Sequence, residues 1–519
     1  MKKETLSALT NAHAWVGLVI STALFIIFLA GSFSLFRENI AQWELDPHLP
    51  LNTVDVTASA DDVIKSVVTE YKLEETHFFR LRFPTDSKPY YQVSFEDHDE
   101  SGKEVYRGLV VSAQTGEIVA NDYNFILADF LYRLHVDLKI PTAGKYIVGI
   151  VTLFFFVALI SGVLIHWRKI VKNFYMYRTE KTKDKYLDVH NLMGVMGLPF
   201  HIMYAITGLI FNLVIVYQIA YALVLYGGDQ GALLKDAGYN QPHINEVGKH
   251  IEMTGFDTLY LRAKNTLGEE DLSYLAVEHF GDESAMVSFS ASDSSAFGVR
   301  KEVIYRVSTG EQLYLTLDNH DNAVRSGLRF LQTLHFGDFA GYGLKIVFFI
   351  LGIGTCYIIL TGNLMWIAKR EKNKRQNALG LHIVRAMTSG GFIGSMAGVA
   401  ASFLAARLFE PDMIERGAMV QNVFGITLLF CVVAAFFVKN FSLFNAVLLK
   451  LVASTLAISI VADWVLFSDQ IIELYAHRRY DVIIVEAIIT LFALCCWMIS
   501  SRTGHETLKE EQIAAVSVT

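Results

Sequence analysis

The stretch "LDVHNLMGVMGLPFHIMYAITGLIFN", residues 187–212, is apolar enough to lie in a bilayer, yet it carries two histidines, His190 and His201. An unpaired ionisable side chain is costly in hydrocarbon, so an intramembrane histidine points to function. The two are eleven positions apart. At about 100° per residue that is close to three turns, which predicts one helix with both imidazoles on one face, about 16 Å apart. Their role depends on what the rest of the chain places at those two depths.

Of 519 residues, 53% are apolar, and the mean hydropathy is +0.36. Eight apolar runs near membrane-spanning length occur, at about 12–36, 146–167, 191–224, 343–368, 389–409, 422–438, 443–467 and 482–500. The first is too long for a cleaved signal and lacks a small-residue cleavage site. The expected class is therefore a polytopic α-helical membrane protein of about eight spans. Lys2, Lys3, the loop 168–185 and the segment 369–375 concentrate positive charge. The positive-inside rule places these in the cytoplasm, together with both termini, and the long segments 37–140 and 225–336 outside. The net charge of −8 is otherwise uninformative, and no nucleic-acid partner is expected. The four cysteines all fall in spans and form no disulfide framework, zinc set or C-x-x-C-H haem attachment.

The chain repeats itself. "NAHAWVGLVISTALFIIFLAG" has His13, Gly17 and Gly31; "DVHNLMGVMGLPFHIMYAITG" has His190, Gly194 and Gly208 at the same spacing. "FLYRLH" ends at His135 and "FLQTLH" at His335, and Ser161-Gly162 and Thr361-Gly362 follow at equal distances. "VVSAQTGEIV" recurs as "YRVSTGEQLY". Residues 1–370 thus read as two parallel copies of span, outer module, span. The divisions are 1–36, 141–168, 189–224 and 337–370 for the spans, 37–140 and 225–336 for the modules, and 169–188 for a basic loop. A further four-span region occupies 371–519. The modules read as small α+β units: "ASADDVIKSVVTEY" has helical periodicity, and "FFRLRF", "YYQVSF" and "VYRGLVVS" alternate as strands.

Sixteen histidines occur. His48, His77, His98, His243, His250, His279, His320, His477 and His505 read as solvated surface residues, and His382 as an interfacial anchor. His13, His166 and His190 mark the inner ends of spans, His135 and His335 precede spans on the outer side, and His201 lies midway. Four of these six recur at matched repeat positions. Buried imidazoles from different helices are the usual ligands of b-type haem, and the repeated glycines leave clearance for a flat macrocycle. Zinc or copper sites would usually include Cys, Asp or Glu, and the main acids within spans, Asp463 and Glu486, lie in the additional C-terminal region.

"HAWVGL", "GKYIVGIVTLFFFVALISG", "VHNLMG…TGLIF", "TLHFGD" and "TGNLMW", with the two TGE turns, resemble the PepSY-associated transmembrane family of bacteria. This is the iron-regulated group that includes inner-membrane ferric-siderophore reductases. The resemblance covers about residues 8–370. It implies PepSY-like periplasmic modules, an inner-membrane location and haem b. His166, whose repeat counterpart is Trp366, and His201 depart from the pattern. The expected arrangement is two haems: the inner on His190 with His13 or His166, the outer on His201 with His335 or His135. Electrons would pass to a ferric siderophore or another ferric chelate. No G-x-G-x-x-G motif follows a strand, so the donor would be a cytoplasmic carrier or a quinol. The alternatives are a membrane-tethered PepSY protein that binds, escorts or inhibits secreted peptidases, and a ferric-chelate permease.

Overall fold

The computed structural model describes residues 2–49, 56–85, 88–98, 104–121, 125–167, 182–269, 271–292, 300–317, 322–371, 378–411, 413 and 415–518. Most of the basic loop, 168–181, and Lys372, Lys374 and Arg375 lie outside them. Among the described residues eight helices are long and apolar enough to cross a membrane, which makes this a polytopic membrane protein. Their outward faces carry exposed apolar side chains such as Val19, Val224 and Phe437, as a lipid-facing surface requires.

In chain order the helices are α1 (Lys3–Ser34), α2 (Arg37–Leu45), α3 (Ala60–Tyr71), α4 (Leu127–Asp137), α5 (Ala143–His166), α6 (Thr182–Met196), α7 (Leu198–Leu225), α8 (Gln230–Asp236), α9 (Phe256–Leu267), α10 (Ala323–Phe336) and α11 (Gly341–Glu371). The additional region follows as α12 (Ala378–Ala386), a π-helical turn (Met387–Ile393), α13 (Gly394–Leu408), α14 (Arg416–Phe437), α15 (Phe441–Ala476) and α16 (Asp481–Val518).

Three features depart from the sequence reading. First, the third span is not one helix. It breaks between α6 and α7 at Gly197, and Pro199 sits in the first turn of α7. Proline has no N–H to donate back and its ring crowds the carbonyl four residues earlier, so an unbroken helix is disfavoured there. The matching stretch of α1 has no proline and runs unbroken. Second, the lead-ins to spans two and four are helices, α4 and α10, each carrying its histidine in the last turn.

Third, the two modules are not separate. β1 (Thr76–Arg82), β2 (Tyr90–His98), β3 (Glu104–Ser112), β4 (Ile118–Asn121), β5 (Tyr274–Phe280), β6 (Met286–Ser292), β7 (Arg300–Arg306) and β8 (Gln312–Thr316) form one antiparallel sheet. Its order is β4-β3-β2-β1-β5-β6-β7-β8. The first strand of each copy therefore pairs with its counterpart, Phe79 lying opposite Val277. Helices α3 and α9 cover one face, burying Val63, Ile64, Val67, Phe256, Leu259 and Ala263 against Phe79, Phe95, Val277 and Phe289. They also cap each other. Asp61 accepts from the backbone N–H groups of Phe256 and Asp257, and Asp257 accepts from that of Ala60. Both TGE turns close alike, with Gly116 and Gly310 at φ of 71° and 69°, where a side chain would be strained.

The additional helices pack mainly on the first copy, with a smaller contact to α11, where Asn363 donates to Thr388 Oγ1 at 3.0 Å. Phe25 stacks on Phe392 at 4.4 Å, and Phe33 meets Phe403 and Phe492. Near the sheet end, buried charges tie α2 to this region. Glu44 pairs with Arg416 at 2.7 Å, with both side chains fully buried, and accepts from the Leu127 N–H at 2.8 Å. Arg407 pairs with Asp463 and lies 3.6 Å over the Trp43 ring, whose Nε1–H donates to the same aspartate at 2.9 Å. His48 is not solvated: its ring packs 4.8 Å from Phe467, and burial beside Arg407 and Arg416 pushes its pKa down to about 4.

Removing one member of a buried pair strands the other. Glu44→Ala is expected to cost about 3–5 kcal/mol, and Glu44→Ala with Arg416→Ala less than the sum of the singles. Thermal unfolding of the detergent-purified variants in a double-mutant cycle measures both.

Candidate functional site

Spans α1, α5, α7 and α11, with α6, enclose two cavities stacked along the bundle. The sheet-distal one, of about 410 Å³, is lined by His13, His166, His190 and His201, with Gly17, Gly162, Gly194 and Gly362. The sheet-proximal one, of about 580 Å³, is lined by His135, His335 and Tyr204, with Gly31, Gly208 and Gly352. Both fall within the usual size range of cofactor sites.

In the distal cavity the His13 and His190 ring centres are 6.4 Å apart and perpendicular. His13 Nδ1 lies 3.1 Å from the Ala158 carbonyl and 3.0 Å from Ser161 Oγ. His190 Nδ1 lies 3.0 Å from the Ile358 carbonyl and 3.2 Å from Thr361 Oγ1. A carbonyl only accepts, so each Nδ1 carries the proton and each Nε2 keeps its lone pair. The partners, like the histidines, are repeat mates: α5 orients His13 as α11 orients His190. A Cβ at Gly162 would stand 3.4 Å from His13 Cε1, and one at Gly362 3.5 Å from His190 Cε1. At Gly17 and Gly194 it would meet nothing within 4 Å, so these two glycines leave the cavity walls open.

In the proximal cavity the His135 and His335 ring centres are 6.0 Å apart. His135 Nδ1 donates to the Ile27 carbonyl at 2.9 Å. His335 Nδ1 is 2.7 Å from Thr207 Oγ1, whose own proton goes to the Met203 carbonyl. The imidazole is therefore again the donor through Nδ1. Tyr204 donates to the His335 carbonyl at 2.8 Å. Among the described residues no hydrogen bond reaches Nε2 of any of these four histidines.

His201 does not stand where the sequence spacing put it. The expectation paired it with His335 or His135, but it lines the distal cavity while those two face each other. The helix breaks at Gly197, so the straight-helix spacing between His190 and His201 does not hold. His201 Nε2–H donates to Thr355 Oγ1 at 2.9 Å, because that hydroxyl gives its own proton to the Leu351 carbonyl. Its Nδ1 is buried without a hydrogen-bond partner among the described residues. Gly197 is required beneath it, since a Cβ there would come within 2.6 Å of His201 Cε1. His166 lines the distal cavity at the end of α5, half-exposed. Sequence reasoning missed Thr207, Thr355 and Tyr204, which have no repeat-matched motif. The Ile27 carbonyl, being backbone, left no sequence signal at all.

Residues 10–369 match the model of the PepSY-associated TM region, so the chain belongs to the PepSY-associated transmembrane family. An uncharacterized protein of Pseudomonas aeruginosa is 20% identical over 308 residues, covering 55% of this chain and 74% of that one. Both pairs of histidines fall within the family region, and α12 to α16 lie beyond it.

A Cβ at Gly31 would come within 2.6 Å of His135 Nδ1. Gly31→Ala is expected to displace that ring and lower stability by about 1–3 kcal/mol. Gly425→Ala, at a helical glycine with nothing within 4 Å, is expected to leave it unchanged or slightly raised. Thermal unfolding of the purified variants compares the two.

Proposed function

We propose that this protein is a di-haem b oxidoreductase of the bacterial inner membrane that passes electrons to a ferric siderophore or similar ferric chelate on the sheet side. The observation that carries this reading is the pairing of imidazoles. Two imidazoles from different helices meet in each cavity with Nδ1 engaged and, among the described residues, no hydrogen bond at Nε2, which is the donor set that would hold a haem iron. The ring centres of the two pairs are 6.4 and 6.0 Å apart. His13 with His190 would hold one haem, and His135 with His335 the other.

Haem b, when bound, would supply a one-electron Fe(III)/Fe(II) couple at each level. The chain supplies the rest. The Nδ1–H bonds to Ala158, Ile358, Ile27 and Thr207 fix each tautomer and ring plane and raise the basicity of Nε2. Glycines keep the cavity walls clear of side chains, and apolar groups such as Leu24 and Phe155 exclude water. Lys369 and Arg370 line the distal cavity, and Lys145 and Lys345 the proximal one, which suits the carboxylates of haem. The basic residues at the distal end favour a cytoplasmic position there, with both termini inside and the sheet in the periplasm. The electron donor would be a cytoplasmic carrier or a quinol.

Protein purified from haem-replete cells is expected to be red and to hold two haems per chain by pyridine haemochrome assay. His13→Ala or His190→Ala should leave one, as should His135→Ala or His335→Ala, while His201→Ala keeps two. The dithionite-reduced Soret band should reoxidise on adding a ferric chelate. A colourless preparation sinks the proposal and favours a binding protein or a permease.

A further inference from the structure

We propose a divalent transition-metal site, separate from the membrane cavities, at one end of the seam where the two modules join; its ligands are His77, Glu246 and His279. The sequence gives these histidines no role beyond a solvated surface. The fold makes them neighbours. β1 and β5 pair antiparallel with Thr76 opposite Phe280 and Phe78 opposite Glu278, so His77 and His279 fall at facing positions between those pairs. The segment before α9 brings Glu246 over both. Glu246 Oε1 lies 2.9 Å from His279 Nδ1 and 3.1 Å from His77 Nδ1. The three donors lie within 4.8 Å of one another.

The hydrogen bonding of His279 points to a cation. Its Nε2 lies 2.9 Å from the Ile244 carbonyl, which can only accept, so the ring proton is on Nε2. In the neutral ring Nδ1 is then a bare lone pair aimed at a carboxylate oxygen. Two acceptors face each other at this distance only with a positive charge between them. A proton on one ring would satisfy one contact, but a metal ion satisfies three donors together. The spacing suits such an ion: with bonds of about 2.1 Å, neighbouring ligands of an octahedral or tetrahedral centre stand about 3.0–3.4 Å apart. A ligating imidazole that donates its other N–H to a backbone carbonyl is also the usual second contact of a metal-bound histidine.

The carboxylate is held in place beforehand. Asp282 accepts from the N–H groups of Val247 at 3.1 Å, Lys249 at 2.9 Å and Ser284 at 2.8 Å. The Ser284 hydroxyl and these N–H groups keep the Asp282 carboxyl well below the usual carboxylate range, so it remains an anion and pins the segment that follows Glu246. Among the described residues the arrangement occurs once. At the other end of the seam the facing pair is Leu81 and Leu275.

Two imidazoles and one carboxylate, without a thiol, select a borderline divalent ion such as Zn²⁺, Fe²⁺ or Co²⁺ over Cu⁺ or Ca²⁺. His77 is well exposed, so coordination positions remain for water or a further donor.

The test uses the full-length protein in detergent, stripped with a chelator and equilibrated with Zn²⁺, the bound metal being counted by elemental mass spectrometry. Wild type is expected to retain one equivalent more than the His77→Ala/His279→Ala double variant. Glu246→Gln should weaken binding at least tenfold, and His98→Ala should match wild type. Gel filtration establishes that each variant is folded. Equal retention by wild type and the double variant overturns the site and leaves a hydrogen-bonded His–Glu cluster. The metal count does not depend on haem content, so it stands or falls apart from the redox reading.

Discussion

Everything in the bundle is arranged around four imidazoles whose Nδ1 protons are already committed. Each is given to a carbonyl or hydroxyl on a neighbouring helix, and in the membrane interior there is no water to replace it. This one constraint fixes the approach of α1 to α5, α6 to α11, α4 to α1 and α10 to α7. It also explains where the glycines fall. At Gly31 and Gly197 an imidazole already occupies the space of a side chain, and at Gly17 and Gly194 open volume does. The interior is thus neither a sealed core nor a channel but two walled chambers with lone pairs directed inward.

Much of this was legible in the chain. Spans, the doubled plan and the α+β character of the modules follow from apolar run length, matched motifs and alternation, all local properties. His13 and His190 share a motif, as do His135 and His335, and the structure brings each motif pair together. What failed was an inference through space. Treating residues 187–212 as one straight helix placed His201 at the sheet-proximal level, whereas Pro199 ends the geometry on which the spacing rule depends. The repeat already matched His135 to His335, and pairing each histidine with its repeat mate, as for His13 and His190, gives the arrangement observed. The fusion of the modules was invisible for a different reason: strand patterning reports which face is buried, not which strand lies alongside.

The additional helices break the symmetry that the doubled plan would otherwise impose. They cover α1 and α4, leaving the second copy uncovered on the corresponding side. Their hold is partly aromatic, through Phe392, Phe403 and Phe492, and partly ionic, through Arg407 and Arg416. Buried charges of this kind are strongly position-specific, because any slip leaves a charge without its partner. The region therefore fixes the location of α2 at the point where the chain leaves the membrane for the sheet.

The central strands bear on ancestry. Because β1 pairs antiparallel with β5 at equivalent positions, the junction between the copies is self-complementary, as an isologous contact between two identical subunits is. One copy of the repeat, about half of residues 1–370, would carry one member of every imidazole pair, so that two such chains would build the same enclosure as a homodimer. Tandem duplication would then have tethered what was once an association between separate molecules, freeing the two halves to diverge.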